Sequence, residues 1–157
     1  MAEVAQNFAG LRVASLESRR ADDMARLIER AGGVPSVSPS MREVPLEDPG
    51  DVVQFARELI EGNFDLIIAM TGVGLRHLVD QAQADVGREP LIKALAKATI
   101  VARGPKPVAV LKEWDIKPEY RVGEPNTWRE LLALLEENVQ LEGCRVGLQE
   151  YGVSNPR

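Results

Sequence analysis

The segment FDLIIAM, Phe64 to Met70, constrains this chain more than any other. A near-continuous apolar run of that length is what a parallel strand buried on both faces requires, because helices cover each side of such a sheet. The sequence around it repeats the same grammar. LRVASL (Leu11 to Leu16) is a short β-prone run, and SRRADDMARLIERAGG after it places Met24, Leu27, Ile28 and Ala31 on one helical stripe. Ser18 is positioned to cap that helix and Gly32-Gly33 to end it. VPSV reads as a second strand, so the chain opens β-α-β with a parallel pairing.

Helical periodicity returns in DVVQFARELIEGN before the Phe64 strand and in LRHLVDQAQADVG after it. EPLIKALAKA sets Pro90 in the first turn of a short helix, where its missing N–H costs little. TIVA is a strand, GPKPVAVLKEW a helix and PEYRV a weak strand. EPNTWRELLALLEENV has Asn126 or Thr127 as N-cap and Glu130 placed for a capping box. CRVGLQEYG is the last strand. Strands alternating with helices define an α/β fold with parallel sheets flanked by helices.

Between these regions lies SPSMREVPLEDPGD, Ser38 to Asp51, rich in proline and poor in core formers. It reads as an extended linker. The organisation expected is residues 1–38 as an opening β-α-β, 39–50 as linker and 51–157 as most of a second domain. Two strands and one helix cannot cover a sheet by themselves, and the last strand is not followed by a covering helix. The expectation is a piece of a longer chain, with an oligomer through the incomplete N-terminal unit as a further option.

Composition narrows the function. The 157 residues carry 19 basic and 24 acidic side chains, a net charge of -5, so general attraction to nucleic acid or anionic lipid is disfavoured and any anion site must be local. Aromatic residues are only 4%, which argues against a base-stacking platform. Cys144 and His77 are single representatives of their types, so no disulfide framework or metal site is expected and a reducing cytoplasm suits the chain. The N-terminal MAEVAQNFAG has neither the basic nor the apolar region of a signal peptide, and no apolar run approaches the ~20 residues of a membrane span.

Three turns at strand ends concentrate polar and cationic groups. Gly104-Pro105-Lys106-Pro107 follows TIVA and Arg103 and opens a helix. It lacks the spacing of a phosphate loop, and Pro105 and Pro107 remove two N–H donors. What remains is a helix start with Arg103 and Lys106 beside it, a seat for a carboxylate or a plain turn with solvated charges. Thr71-Gly72-Val73-Gly74 reads as a turn after the strongest strand, with a hydroxyl on Thr71, close backbone approach at the glycines and Arg76 in the following first turn. Arg19 and Arg20 follow the first strand in the same way. Tyr151, in QEYG at the last strand end, either donates a hydrogen bond or covers a core edge. No nucleophile-base order and no carboxylate pair stands out, so the residues alone point to an anion-binding α/β protein.

The order FDLIIAMTGVGLRHLV, ATIVARGPKPVAVLKEWDIKPEYRVGEPNTWRELLALL, GCRVGLQEYG resembles uroporphyrinogen-III synthase, from about Leu11 to Asn155. The resemblance implies a two-domain architecture whose chain starts in one α/β domain, crosses to a second by an extended linker and returns, here with the C-terminal part absent. It implies a cofactor-free lyase of tetrapyrrole and haem biosynthesis that closes hydroxymethylbilane, a polycarboxylate, into uroporphyrinogen III with loss of water and inversion of the last ring. The substrate-binding set it implies is Arg19, Thr71, Gly72, Arg76, Arg103, Gly104, Lys106 and Gly152, with no catalytic residue assigned and no metal. Pro107 stands where many relatives carry a hydroxyl, and a family tyrosine near the end of domain two would fall beyond Arg157. A non-enzymatic ligand-sensing module of a transcriptional regulator is the alternative, and a flavodoxin-like nucleotide binder is a third reading by fold analogy.

Overall fold

A computed structural model describes residues 8–41 and 50–150. The chain divides into two compact units, residues 1–45 and 46–157.

In the first unit, β1 (Arg12–Ser15) pairs in parallel with β2 (Val34–Val37), with Arg12 opposite Val34 and Ser15 opposite Val37. Helix α1 (Ala21–Arg30) connects them. Its start differs from expectation. Arg20, not Ser18, is the N-cap residue, and the Glu17 carboxylate accepts from the N–H groups of Arg19 and Arg20. Ser18 instead accepts from the Met41 N–H. Those backbone donors hold the Glu17 carboxyl below its ordinary value. The helix ends as expected: Gly32, at φ 78, donates to Glu29 and Gly33 donates to Ile28, the paired bonds of a Schellman turn. Of the expected stripe only Ile28 is buried, while Leu27 is 49% exposed. A single helix over a two-stranded sheet has too little surface to cover more.

The second unit begins with α2 (Gly50–Ile60), so Gly50 is helical rather than linker; residues 42–49 of the expected linker lie outside the described residues. There follow β3 (Leu66–Ala69), α3 (Gly72–Val86), α4 (Arg88–Lys97), β4 (Thr99–Ala102), α5 (Pro105–Glu113), β5 (Tyr120–Arg121), α6 (Trp128–Asn138) and β6 (Val146–Leu148). All pairings are parallel, in the order β5-β4-β3-β6.

Alternation along the strands divides the core into two layers. Ile67, Ala69, Ile100 and Ala102 face one side and pack with Ala56 and Leu59 of α2, Leu75 and Val79 of α3, Leu91 and Leu95 of α4 and Leu111 of α5. Leu66, Ile68, Val101 and Val122 face the other and meet Leu131 and Leu135 of α6. Every residue of β3 is buried, the outcome expected of FDLIIAM. Burying each such aliphatic side chain stabilises by ~1.5–3 kcal/mol.

The strand order has a functional consequence. From β3 the chain steps through β4 to β5 on one side, then returns to place β6 on the other side of β3. The reversal lies between β3 and β6, where an open α/β sheet leaves a crevice at its carboxyl edge.

Candidate functional site

Because the four strands are parallel, their carboxyl ends share one edge, which Thr71, Arg103, Val122 and Gln149 directly follow or lie one residue beyond. Thr71 is the N-cap of α3 in extended conformation, and its Oγ1 accepts from the Gly74 N–H at 3.0 Å. The expected four-residue turn is therefore a single residue, with Gly72 to Gly74 already in the helix. A hydroxyl at the N-cap position stabilises the helix start in place of a longer loop.

Gly72 is required by packing. A Cβ there would lie 2.7 Å from the Lys106 carbonyl oxygen and 3.0 Å from Val110 Cγ2, so the starts of α3 and α5 touch through backbone. Gly74 answers a different neighbour, since its Cβ would fall on the Gln149 carboxamide. These two contacts bring three expected residues, Thr71, Gly72 and Lys106, into one neighbourhood.

Gly104 is the N-cap of α5, extended and without a side-chain cap. Pro105 and Pro107 lack N–H groups, so the first turn of α5 has few donors needing one. The Arg103 N–H donates to the Ala69 carbonyl, continuing the β3–β4 ladder. The Arg103 side chain is half-buried and Lys106 is exposed. Neither side chain forms an ion pair or hydrogen bond with a described residue, and both stand at the sheet's carboxyl edge.

Asn126 fixes this turn from the next strand connection. It lies at φ 59 after Pro125, and with its amide nitrogen toward the two carbonyls it donates to Val122 at 2.9 Å and Arg103 at 3.2 Å. That orientation is the one which satisfies both carbonyls. The N-cap of α6 is Thr127, the second of the two expected residues. Its Oγ1 accepts from Arg129, and Glu130 accepts from the Thr127 N–H at 2.8 Å. Glu130 also accepts from the Thr127 hydroxyl, and the two bonds hold its carboxyl below the ordinary value, the hydroxyl contributing most.

Arg76 points its chemistry elsewhere. One terminal nitrogen lies 2.6 Å from both carboxylate oxygens of Glu113 at the end of α5, tying the two helices together. The pair is about half exposed on both sides, which limits its contribution to at most ~1 kcal/mol. Arg19 and Arg20 belong to the first unit: Arg20 pairs with Asp23, and the Arg19 backbone is held by Glu17. Gly152 and Tyr151 lie outside the described residues. His77 is half-buried in α3. No group of His, Cys, Asp and Glu among the described residues could hold a metal ion, and no described helix is long and apolar enough to cross a membrane.

The sequence reading missed Gln149 and the linking role of Asn126. The Gln149 Oε1 accepts from the Thr71 N–H at 2.9 Å. The available signal was positional: Gln149 follows the last strand as Thr71 follows the first one in this sheet.

Fold and edge together define an open parallel α/β protein with its polar and cationic turns gathered at the strand carboxyl ends. The family model for uroporphyrinogen-III synthase HemD matches residues 22–150, running through every one of those turns in the second unit. The chain belongs to the uroporphyrinogen-III synthase family. Among solved structures it is similar to the wild-type uroporphyrinogen III synthase of the extremely thermophilic bacterium Thermus thermophilus, with 34% identity and a TM-score of 0.58 over 94% of this chain and 54% of that one. A mutant of the same Thermus enzyme gives 33% identity and a TM-score of 0.67 with the same coverage. An uncharacterized Bacillus subtilis protein, YjjA, is 33% identical over 147 residues, 94% of this chain and 53% of that protein. The chain thus spans about half the length of the relatives it matches.

Proposed function

We propose that the native gene product containing this chain is a uroporphyrinogen-III synthase, closing hydroxymethylbilane to uroporphyrinogen III with loss of water and inversion of the last ring. The observation that carries this reading is the family match over residues 22–150. Residues 1–38 are then the opening of domain one, 39–49 the linker and 50–157, from the start of α2, most of domain two. The reaction is a hydro-lyase cyclisation in the cytoplasm and needs no cofactor, nucleic acid or membrane.

The substrate presents carboxylates, and the edge offers Arg103 and Lys106 beside the touching starts of α3 and α5. Helix starts carry partial positive charge, which favours an anion there even on a chain of negative net charge. The Thr71 hydroxyl adds a hydrogen-bonding group, and Gly72 and Gly104 let the turns that carry these residues pack closely at the edge. Arg19 and Gly152 complete the set by family resemblance. Arg76 is the weaker member, because binding substrate would cost it Glu113. Holding a flexible linear chain so that its two ends meet lowers the barrier by positioning, and fixed dipoles stabilise charge as it develops.

The test is an assay of the native gene product coupled from porphobilinogen, read as the ratio of type III to type I isomer. Type III is expected; type I alone overturns the proposal. Within it, Arg103→Ala and Lys106→Ala each weaken substrate binding by about 1–3 kcal/mol, with little change in thermal midpoint. Steady-state KM and kcat across a salt series check this, and unchanged kinetics remove both residues from the site.

A further inference from the structure

The reversal point between β3 and β6 is occupied by the protein's own carboxamide. The Gln149 N–H donates to the Ile68 carbonyl at 3.1 Å, extending the β3–β6 pairing by one residue and fixing where the side chain starts. Its Oε1 accepts from the Thr71 N–H at 2.9 Å. Its Nε2 donates to the Glu150 carbonyl at 2.8 Å and to Thr71 Oγ1 at 3.4 Å. These partners leave no freedom to turn the amide over, since an N–H on one side demands the oxygen and a carbonyl on the other demands the nitrogen.

The consequence falls on Thr71. A hydroxyl has one proton and two lone pairs. Gly74 N–H and Gln149 Nε2 both donate to this oxygen, which uses both acceptor positions. The remaining function of the hydroxyl is to donate, and among the described residues no acceptor takes its proton. A glycine at position 74 is what admits the amide, because a Cβ there would lie 2.0 Å from Nε2.

We propose that Gln149 is a positioning residue that locks the Thr71 hydroxyl as a hydrogen-bond donor, so that this edge selects ligand acceptors, carboxylates above all, and disfavours ligand donors. This rests on the polycarboxylate substrate of the preceding reading. Glutamate at 149 would keep the length and the bond from the Thr71 N–H, but it has no proton to give. The Thr71 hydroxyl would then turn inward to it and be lost to the ligand.

The experiment is a double-mutant cycle in the native gene product, with Gln149→Met, Gln149→Glu, Thr71→Val, Thr71→Ser and the Gln149→Met pairings with each Thr71 variant. Gln149→Met should raise KM for hydroxymethylbilane about three- to tenfold with kcat much less affected, the scale of one hydrogen bond. Gln149→Glu should raise it further. On the Thr71→Val background, which has no hydroxyl to orient, Gln149→Met should add less than about twofold, whereas on Thr71→Ser the full effect should return. Additive effects on the valine background, or a fall in thermal midpoint with unchanged KM, reduce Gln149 to a strut and overturn the proposal. If the native protein does not cyclise the bilane, the proposed reaction fails separately. The same cycle is then read by the Kd of uroporphyrin III, an octacarboxylate: the same non-additivity supports the donor lock, and additivity or no binding by the wild type overturns it.

Discussion

The α3 and α5 helix starts follow adjacent strands, yet they solve the same problem in opposite ways. At Thr71 a side chain caps the helix and a second side chain, Gln149, holds the cap. At Gly104 no side chain caps the helix; two prolines remove donors instead, and Asn126 secures the carbonyl of Arg103. Among the described residues, the hydroxyl proton of Thr71 is the one hydrogen of that cap without a partner. The second start leaves Arg103 and Lys106 without a side-chain partner among the described residues. Polar satisfaction and ligand capacity trade against each other, so adjacent turns on one edge can divide the tasks of orientation and attraction.

The comparison breaks most sharply where the two starts touch. Gly72→Ala puts a methyl against the Lys106 carbonyl, a backbone atom that cannot swing aside. A loss of about 1–3 kcal/mol by urea denaturation is expected, despite the gain in helix propensity. At Gly104 the nearest atom to an added Cβ is the tip of the Asn126 carboxamide at 3.3 Å, so Gly104→Ala should cost much less. Equal losses at the two glycines would show that the contact between the helix starts is not what Gly72 serves.

Asn126→Ala comes next. It removes the donor shared by Arg103 and Val122 and leaves an alanine at φ 59, so about 1–2 kcal/mol is expected. Asn126→Gly, which keeps the backbone freedom, should recover part of it. Thr71→Ala should cost about 1 kcal/mol through the lost cap, a loss with no counterpart at Gly104. Chemical denaturation of both variants, at constant m-value, checks the pair.

The smallest effect is electrostatic and belongs to α6, whose cap sits on the connection that also secures Gly104. Glu130 is lowered below its ordinary value of 4.5 in the folded protein, first by the Thr127 hydroxyl and then by the Thr127 N–H. A lowered folded value means that its stabilisation is fully present above the unfolded value. It declines as pH falls from about 4.5 and is gone below the folded value. Glu130→Gln should therefore shift the thermal midpoint slightly near neutrality and flatten its fall on acidification. A wild-type curve that falls identically would place the acid sensitivity elsewhere, with Asp65, lowered chiefly by the Arg145 N–H, as the next carboxylate to replace.

Local pattern accounts for much of this molecule. FDLIIAM and the IVA of TIVA form the buried strands β3 and β4, whereas the short runs RVAS and VPSV form strands whose residues alternate between exposed and half-buried. Gly32-Gly33, Pro90 and the Thr127–Glu130 box act within a few residues of themselves, and each does what its chemistry predicts. The start of α1 is not legible in the same way because Glu17 and Ser18 are both polar and adjacent, and only backbone direction decides which of them meets the free N–H groups.

What the sequence determined by itself, then, is the kind and order of elements and the polar residues at the strand ends, because propensity, period and capping are local. Tertiary structure alone decided who meets whom. Thr71 and Gln149 are 78 positions apart and Arg76 and Glu113 are 37 apart. No periodicity links such pairs, since each contact depends on β6 crossing to the far side of β3 and on α3 lying against α5. The same residues at the same spacings, threaded through another strand order, would leave Thr71 without its partner and Arg76 without its acid.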